Sequence, residues 1–397
     1  MTSNVLAPPT TPESPIGWMR RNLFSSVVSS LVTLLLGALL VWLSMNVAQW
    51  ALTEARWEVV TRNLRLFLMG QYPGDQAWRL WTSLLVLSLL AGVSAAVFGH
   101  TTRVLAVSVS AFQVLLAAIM AASPVGPLIT IGMLANAVLV WAAMIVGLRL
   151  GVPRRALMVA WLLSIPATWV LVAGVGLAPF PSVSSNLWGG LLLTMLLALV
   201  GIVLSFPIGV LLALGRRSAL PAIRVVSTAY IELVRGVPLV TILFMADVML
   251  PFFLPGEVRI DRVARAMGGI TLFSAAYVAE NVRGGLQAIP SGQVEAAQAL
   301  GLRGWQTNLF IVLPQALRSV IPANVGLFIS LLKDTTLVAI IGLAELLGIG
   351  QAVLAQPDSL GAHLEVFAFV GLVFFVLCYA MSQASYRLEA AMGVGKR

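Results

Sequence analysis

Residues 289–318 read IPSGQVEAAQALGLRGWQTNLFIVLPQALR and separate two long apolar runs with a polar, alanine-rich stretch. Pro290 and Ser291 supply a helix start, and Ser291 is the predicted N-cap, since Ser is a preferred residue there. Glu295 falls in the early turns, where the helix dipole favours a carboxylate. The first half of the stretch therefore predicts a short helix outside the apolar spans.

The second half of the same stretch contains two breaks. Gly301 can adopt the left-handed conformation that ends a helix, and Gly304 allows a second bend. Pro314 limits the helix that follows. The predicted product is a compact two-helix elbow with small side chains, suited to docking in a groove of another protein. A plain connector between two spans gives the same pattern, so periodicity leaves both interpretations open.

The composition places this elbow in a membrane protein. The chain has 397 residues, of which 59% are hydrophobic and 10% charged, and its mean hydropathy is +0.98. A soluble domain carries about 25% charged residues. So few polar groups cannot cover the apolar surface of the chain, and lipid must cover it instead.

Ten apolar runs are long enough to cross a hydrocarbon core of about 30 Å, and a short turn at 123–127 separates the third from the fourth. The predicted fold is an all-α, polytopic membrane bundle of about ten transmembrane helices. The predicted spans are 27–50, 80–98, 104–122, 128–148, 157–177, 187–214, 223–250, 267–286, 320–347 and 366–386.

The basic residues predict the orientation of the bundle. With the N-terminus in the cytoplasm, the loops assigned inside hold about twice as many Lys and Arg residues as those assigned outside, as the positive-inside rule requires. An even number of spans then places both termini in the cytoplasm and the elbow on the same side. The predicted location is the plasma membrane, in bacteria the inner membrane.

Several function classes are excluded by what the sequence contains. The net charge of +9 is scattered between apolar runs, whereas a nucleic-acid binder gathers basic residues on one face. Cys378 stands alone, and with only His100 and His363 no metal site is predicted. Neither lysine, Lys333 or Lys396, lies in a phosphate-binding G-x-x-x-x-G-K-[ST] loop. No catalytic constellation is present either, so the chain is not predicted to be an enzyme.

The chain divides into unequal parts. Residues 1–22 are rich in Pro and Thr and predict a disordered cytoplasmic segment. The spans of 23–180 contain almost no ionisable residue and predict an accessory bundle facing lipid. Residues 181–390 predict a core that carries intramembrane charges, which usually mark a pathway or a partner. These are Glu232, Arg235, Asp247, Glu280, Lys333, Asp334 and Glu345.

The elbow resembles one family specifically. Its seven fixed positions follow the spacing of the EAA loop of bacterial ABC importer permeases. They are Glu295, Ala296, Ala297, Gly301, Ile311, Leu313 and Pro314. The resemblance implies that these residues form the coupling helices that sit in a cleft of a separate ATPase subunit.

The resemblance extends beyond the elbow to about 187–387. The segments 230–239, 275–285, 332–337 and 341–347 are similar to the core helices of the polar amino-acid branch, which implies a five-helix permease core. The added N-terminal bundle resembles the second permease subunit of the general L-amino-acid importers.

This resemblance implies the function and the partners. The chain is expected to be the permease subunit of an ATP-driven importer that moves polar or broad-range L-amino acids into the cytoplasm. It would pair with a homologous permease, two ATPase subunits and an extracytoplasmic amino-acid-binding protein. No cofactor is expected on this chain, because ATP is bound by the partner ATPase.

The intramembrane polar residues are the candidates for the substrate pathway or gate. Glu232 and Arg235 are three residues apart, as are Glu280 and Arg283, so each pair can neutralise itself on one helix face. Such pairs anchor a cytoplasmic gate, contact the amino acid or contact a partner subunit; the sequence leaves these roles open. The candidate residues are Glu232, Arg235, Glu280, Asn281, Lys333, Asp334, Thr335 and Thr336.

Two other classes compete with this interpretation. A secondary transporter driven by an ion gradient would carry midplane carboxylates in both halves and an internal repeat, and the sequence shows neither. A membrane scaffold without substrate is the third class. A requirement for ATP and a co-expressed ATPase would separate the three.

Overall fold

A computed structural model describes residues 14–121, 127–256 and 259–392. The turn predicted at 123–127 lies almost wholly outside the described residues. The chain divides into one unit that ends at Trp57 and a second that begins at Glu58. The regular structure in the described part of the chain is entirely helical, apart from isolated bridges between single residues. The all-α prediction is therefore confirmed.

The first unit consists of two helices. α1 (Pro15–Asn22) is capped by the Ser14 hydroxyl and ends on two arginines, so the prediction of disorder over 1–22 is wrong for this part. Pro15 and Ser14 are the reason, since both residue types favour a helix start. The first 13 residues lie outside the described ranges. α2 (Val27–Gln49), extended by a π-helical turn to Glu54, is apolar on all sides and has no buried residue. That pattern suits a span surrounded by lipid or by other helices.

The second unit begins with the accessory bundle. α5 packs against α6, α7 and α8, and α5 and α7 approach closely enough that a Cβ on Gly92 would lie 2.1 Å from the Val140 carbonyl oxygen. Small residues allow such backbone contact in membrane bundles. The helices of this part are α3 (Glu58–Arg62), α4 (Leu64–Met69), α5 (Ala77–Phe98), α6 (His100–Ala121), α7 (Pro127–Leu150) and α8 (Arg154–Ala173).

Arg79 fastens the accessory bundle to the segment that leads into the core. Its side chain is fully buried, and its guanidinium donates to the carbonyl oxygens of Pro181 at 2.9 Å and Val170 at 3.3 Å. The Phe180 ring lies 5.9 Å from the guanidinium carbon. Among the described residues no carboxylate pairs with Arg79, so carbonyl groups and a ring face replace the lost hydration.

The core half contains ten helices in the described ranges, with α9 and α13 sharing the most extensive contact. Leu193, Leu197, Val263 and Ile270 form its buried centre. The helices are α9 (Gly190–Arg216), α10 (Pro221–Arg235), α11 (Leu239–Phe244), α12 (Leu250–Phe253), α13 (Arg262–Gln287), α14 (Ser291–Ala299), α15 (Gly304–Gln306), α16 (Leu313–Asp334), α17 (Leu346–Leu354) and α18 (His363–Met392).

Seven helices in the described ranges are long and apolar enough to span a membrane, and an eighth results if one bent pair counts as a span. α6 contributes only an apolar stretch, Leu105–Ala118, and α13 carries charges at both ends. Nine of the ten predicted spans nevertheless overlap one long helix each, and the span at 223–250 overlaps the bent pair. The bundle prediction is therefore confirmed, with about ten helices of which seven are strongly apolar.

Two predicted spans are wrong in detail. The span at 223–250 is broken between Pro221–Arg235 and Leu239–Phe253, which meet at 108°; Pro238 lacks the N–H that would continue the helix. The span at 320–347 begins and ends too late. α16 starts at Leu313, and after a 3₁₀ turn at Thr335–Ile341 the left-handed Gly342 ends the helical run.

Glu345 has a structural role in the core. Its fully buried carboxylate caps α17 by accepting from the amides of Leu347 and Gly348, each at 2.9 Å. The Thr194 hydroxyl on α9 accepts from the amide of Leu346 at 3.1 Å. The carboxylate therefore supports a helix terminus, and its burial needs no solute partner.

The contact between α9 and α13 gives a sharp stability prediction. A Cβ on Gly209 would lie 2.6 Å from Val278 and 2.8 Å from the Ala275 carbonyl oxygen. We expect Gly209→Ala to lower the free energy of unfolding by about 1–3 kcal/mol, since overpacking forces the helices apart. Thermal unfolding of the purified protein in detergent measures this change.

Gly268→Ala on α13 is the matched control. A Cβ there meets no atom within 4 Å, so alanine should be neutral or stabilise the helix by about 0.5–1 kcal/mol. Equal unfolding temperatures for the two variants would contradict close contact between α9 and α13.

Candidate functional site

The elbow, residues 289–318, begins with α14 and turns at Gly301. Gly301 has a φ of +76°, its N–H donates to Gln298 at 2.9 Å, and the N–H of Leu302 donates to Ala297 at 3.1 Å. This is the Schellman pattern, so the predicted left-handed stop is confirmed. The N-cap is Pro290 rather than Ser291, which lies inside the helix without a side-chain cap bond; Pro290 already has the extended backbone of a cap residue.

The second arm of the elbow differs from the prediction. It is not a separate short helix, because Gly304–Ile341 forms one helical run of 38 residues. A π-helical turn at Thr307–Val312 comes directly before Pro314. The wider turn accommodates a proline that would otherwise clash with the preceding turn. The elbow therefore joins a short arm, α14, to the end of a membrane-spanning helix.

The two arms of the elbow pack together and present an apolar outer surface. The side-chain amide of Gln315 donates to Gln293 at 3.3 Å across the arms, and Ala297 is buried. Glu295 and Ala296 are exposed. Four large apolar side chains of the elbow are also exposed, and we call them the elbow patch. They are Leu300, Trp305, Leu309 and Phe310, with exposed fractions of 81%, 58%, 46% and 60%.

The end of the family motif lies where the elbow enters the core. Ile311 is half-buried and Pro314 exposed, whereas Leu313 is buried. Leu313 belongs to a cluster with Val282 and Leu286 of α13. Glu295, Ala296 and Gly301 therefore face outward, whereas Ala297 is buried in the elbow and Leu313 fixes the long arm against α13.

Behind the elbow, Glu280 of α13 is the centre of an ion network. Its carboxylate accepts from Nε of Arg283 at 2.9 Å and lies 3.4 Å from Arg235 and 3.5 Å from Arg216. Arg216 also pairs with Glu232 at 2.9 Å. The network therefore connects the ends of α9, α10 and α13 with three arginines and two glutamates.

One of the two predicted pairs is wrong. Glu280 and Arg283 do pair within α13, but Glu232 pairs with Arg216 rather than with Arg235. The spacing of residues along one helix does not predict ion pairs with side chains from another helix. Arg216 is the last residue of α9, just beyond the span predicted at 187–214. Arg235 turns to Glu280 and to the Tyr277 ring, which lies 5.7 Å away.

Asn281 is also brought into a contact between helices. Its side-chain amide donates to Asn324 of α16 at 3.0 Å, and the Asn324 amide nitrogen has no partner among the described residues. Asn324 is 3% exposed. Sequence reasoning missed it because a single amide in an apolar run carries no charge signal.

The four remaining candidates lie at the other end of the core. Lys333 is exposed and Asp334 half-buried at the end of α16, and neither makes an ion pair in the part of the chain that the structure describes. The hydroxyls of Thr335 and Thr336 donate to carbonyl oxygens three residues back, at 2.7 and 2.8 Å. These residues therefore lie apart from the ion network, separated from it by the length of α16.

No group of three His, Cys, Asp or Glu side chains with metal-ligand geometry is found among the described residues. The chemistry available at the site is ionic and hydrogen-bonding. It suits binding and conformational change, through helix ends tied by charges and an elbow joined rigidly to a span.

Comparison with known proteins gives a family and two relatives of full length. Residues 205–394 match the family model described as binding-protein-dependent transport system inner membrane component. The chain is 36% identical to the inner membrane amino-acid ABC transporter permease protein YhdY of Escherichia coli, covering 100% of this chain and 99% of that protein. It is 38% identical to the glutamate/glutamine/aspartate/asparagine transport system permease protein BztC of Rhodobacter capsulatus, covering 98% and 96%.

Among solved structures, an amino acid ABC transporter crystallised with histidines is 28% identical. The similarity covers 51% of this chain and 92% of that chain, with a TM-score of 0.46.

Proposed function

Since this chain belongs to the family of inner membrane components of binding-protein-dependent transport systems, we propose that it is the permease subunit of an ATP-driven amino-acid importer. The elbow is the observation that carries the proposal. It presents four exposed apolar side chains and continues without interruption into a span. Such a surface is suited to receiving force from another protein and passing it into the membrane.

The energy for transport comes from a separate ATPase. Neither lysine of the chain lies in a phosphate-binding loop, so ATP is bound by the partner. Exposed apolar patches with polar surroundings mark protein interfaces, and the segment that carries the elbow patch also exposes Glu295 and Arg303. Two ATPase subunits would dock on the elbows of a permease pair, and their approach on binding ATP would turn the elbow about Gly301.

The orientation follows from the same assignment. An elbow that docks an ATPase lies in the cytoplasm, which agrees with the surplus of basic residues in the loops on that side. The first residues of α13 and the end of α16 then lie on the outer face. Both termini lie in the cytoplasm, and a binding protein delivers the solute from outside.

Amino acids are the proposed solutes. YhdY and BztC are both permeases of amino-acid transport systems by name, and the similarity to each covers nearly the whole chain. The ion network offers both signs of charge, and Glu280, Glu232 and three arginines tie together helix ends that a gate would have to separate. A homologous second permease subunit would complete the pathway, as in the general L-amino-acid importers.

The test is uptake by the complex in proteoliposomes. The chain is co-expressed with a second permease, an ATPase and a binding protein, and accumulation of labelled L-glutamate, L-glutamine, L-arginine and L-leucine is measured. We expect accumulation that requires ATP and binding protein. A protonophore and a Na⁺ ionophore should leave it unchanged.

The alternative of an ion-gradient transporter makes the opposite prediction. Uptake by this chain alone, driven by an imposed ion gradient without ATP, would overturn the proposal. ATP hydrolysis without uptake of any amino acid in the panel would overturn the substrate class and leave the ATPase partnership standing.

A further inference from the structure

A cleft lies beside the first turn of α13, at the end of that helix opposite the elbow. Its volume is about 540 Å³, and we call it the α13 cleft. It is lined by Ser185, Trp188, Asp261, Arg262, Arg265 and Gly342, among other residues. The 26 residues of α13 separate the cleft from the elbow, a distance of about 39 Å at 1.5 Å per residue. The cleft and the elbow therefore face opposite sides of the membrane.

Arg265 is held rigidly at the cleft. Its side chain is 12% exposed, and Nη2 lies 2.9 Å from the Asp247 carboxylate while Nη1 donates to the Asp247 carbonyl oxygen at 2.6 Å. Nε is buried and has no hydrogen-bond partner among the described residues. The arginine is thus fixed in position with one donor unused.

Arg262 is the more accessible arginine of the cleft. Its side chain is 47% exposed. Its one ion pair in the described part of the chain joins Nε to the Asp247 carboxylate at 3.4 Å. Nη1 lies near Gly342, since a Cβ added there would be 3.6 Å away. The outer nitrogens of this guanidinium therefore stand at the cleft with hydrogen-bonding capacity to spare.

The carboxylate of Asp261 does not accept hydrogen bonds from the two arginines of the cleft. Its Oδ1 accepts from the amides of Val263 and Ala264 at 2.9 and 3.3 Å, as the N-cap of α13, and Oδ2 accepts from the Ser185 hydroxyl. Trp188 lines the cleft, but its indole N–H is buried and has no partner among the described residues. The charges at the cleft balance, with Arg262 and Arg265 against Asp247 and Asp261, but the outer nitrogens of Arg262 keep unused donors.

We propose that the α13 cleft binds the α-carboxylate of an amino acid before it enters the pathway. The inference rests on the proposed function, which supplies the class of solute and makes this the outer face. A volume of 540 Å³ falls within the range of about 300–1,000 Å³ typical of small-molecule sites. The outer nitrogens of the Arg262 guanidinium offer a planar pair of donors that matches a carboxylate, whereas both outer nitrogens of Arg265 are held by Asp247. A concave site of this size favours a small solute over the surface of a docked protein.

The cleft also lies at the end of a helical run that leads to the elbow. Gly342 follows directly on the helical run Gly304–Ile341, whose other end is the elbow. A carboxylate bound on the outer nitrogens of Arg262 would lie at the start of α13 and beside Gly342, at the end of that run. A solute bound in the cleft would therefore contact the two helical segments whose other ends lie at the ion network and the elbow.

The experiment measures solute binding without the binding protein. The permease complex with its ATPase subunits is placed in detergent, and saturation-transfer NMR titrates L-glutamine and its α-carboxamide derivative. We expect binding of L-glutamine and much weaker binding of the carboxamide. Arg262→Gln should weaken binding of L-glutamine about ten-fold, as loss of a charge-assisted hydrogen bond implies.

Arg259→Gln is the matched control, an exposed arginine three residues away with the same loss of charge, and it should bind like the unmodified complex. Arg262→Lys keeps the charge but loses the planar fork, and it should bind L-glutamine less tightly while the complex remains folded. Equal binding by the Arg262 and Arg259 variants, or equal binding of L-glutamine and its carboxamide, would overturn the proposal.

A third outcome would assign the arginines to the binding protein. In that case Arg262→Gln would raise the concentration of loaded binding protein needed for half-maximal ATPase stimulation and leave the NMR titration unchanged, which would also overturn the proposal. Uptake by the unmodified complex separates the two levels of inference. If it transports amino acids and the Arg262 variant binds normally, only the cleft assignment fails; if it transports none, the proposed function fails.

Discussion

Replacing Gly301 with valine should reduce ATP-driven uptake by about ten-fold or more, because an L-residue in the left-handed region costs about 1–2 kcal/mol. Gly301 has a φ of +76°, and a β-branched side chain resists that conformation most strongly. The backbone would relax toward negative φ and change the angle between α14 and the long arm. Uptake and ATPase stimulation by the binding protein, both in proteoliposomes, measure the effect.

Gly304→Ala provides the control for this variant. A Cβ added at Gly301 or at Gly304 meets no atom within 4 Å, and only Gly301 has a positive φ. Steric crowding is therefore equal at the two positions and backbone strain differs. We expect Gly304→Ala to transport nearly normally. Normal coupling in Gly301→Val, with the ATPase co-purifying in full amount, would show that the elbow does not transmit force through this turn.

Replacing Glu280 with glutamine should lower the free energy of unfolding by about 1.5–3 kcal/mol, the range for losing hydrogen bonds to a charged group. The carboxylate faces Arg216, Arg235 and Arg283 and is 22% exposed. Its removal leaves like charges of three arginines close together with a single remaining partner, Glu232. Thermal unfolding of the purified protein in detergent measures the loss.

Glu58→Gln is the matched control for charge removal from a helix. The Glu58–Arg62 pair has the same 2.9 Å separation as the Glu232–Arg216 pair, but its side chains are 79% and 66% exposed, so the expected change is less than about 0.5 kcal/mol. The double variant Glu280→Gln with Arg216→Gln should recover part of the stability, because one unpaired charge is gone. If Glu280→Gln unfolds at the same temperature as Glu58→Gln, the network does not hold the helix ends together.

Much of this architecture could be predicted from the sequence, for identifiable reasons. Long apolar runs predict spans whatever the neighbouring helices are, because lipid imposes the same length on each. The glycine at position 301 predicted the turn that ends α14, since few other residues tolerate a positive φ. The i, i+3 spacing of Glu280 and Arg283 predicted a pair that forms within one helix. These features are local, and local rules suffice for them.

The features that the sequence did not predict depend on contacts between distant segments. Glu232 pairs with Arg216 rather than with Arg235, because the ends of α9 and α10 lie close together. Residue spacing along the sequence does not predict this contact. The apolar run around Pro238 is continuous in the sequence, so it predicts one span, whereas the structure has two helices that meet at 108°. Pro314 was expected to end a helix, but the π-helical turn before it allows the helix to continue. The cleft is not predictable from the sequence, because Arg262 and Arg265 follow one another at a spacing that is equally typical of a basic loop outside the membrane.

The uninterrupted run from Gly304 to Ile341 has a mechanical consequence. Its 38 residues measure about 57 Å at 1.5 Å per residue, longer than the 40–45 Å of a whole bilayer with its headgroups. The run includes a π-helical turn near one end and a 3₁₀ turn at the other, and it is long enough to reach from one aqueous side to the other. In the proposed importer, the ATPase contact and the outer cleft lie at opposite ends of this one helical run, so a tilt of the run at its base would displace its outer end at the same time.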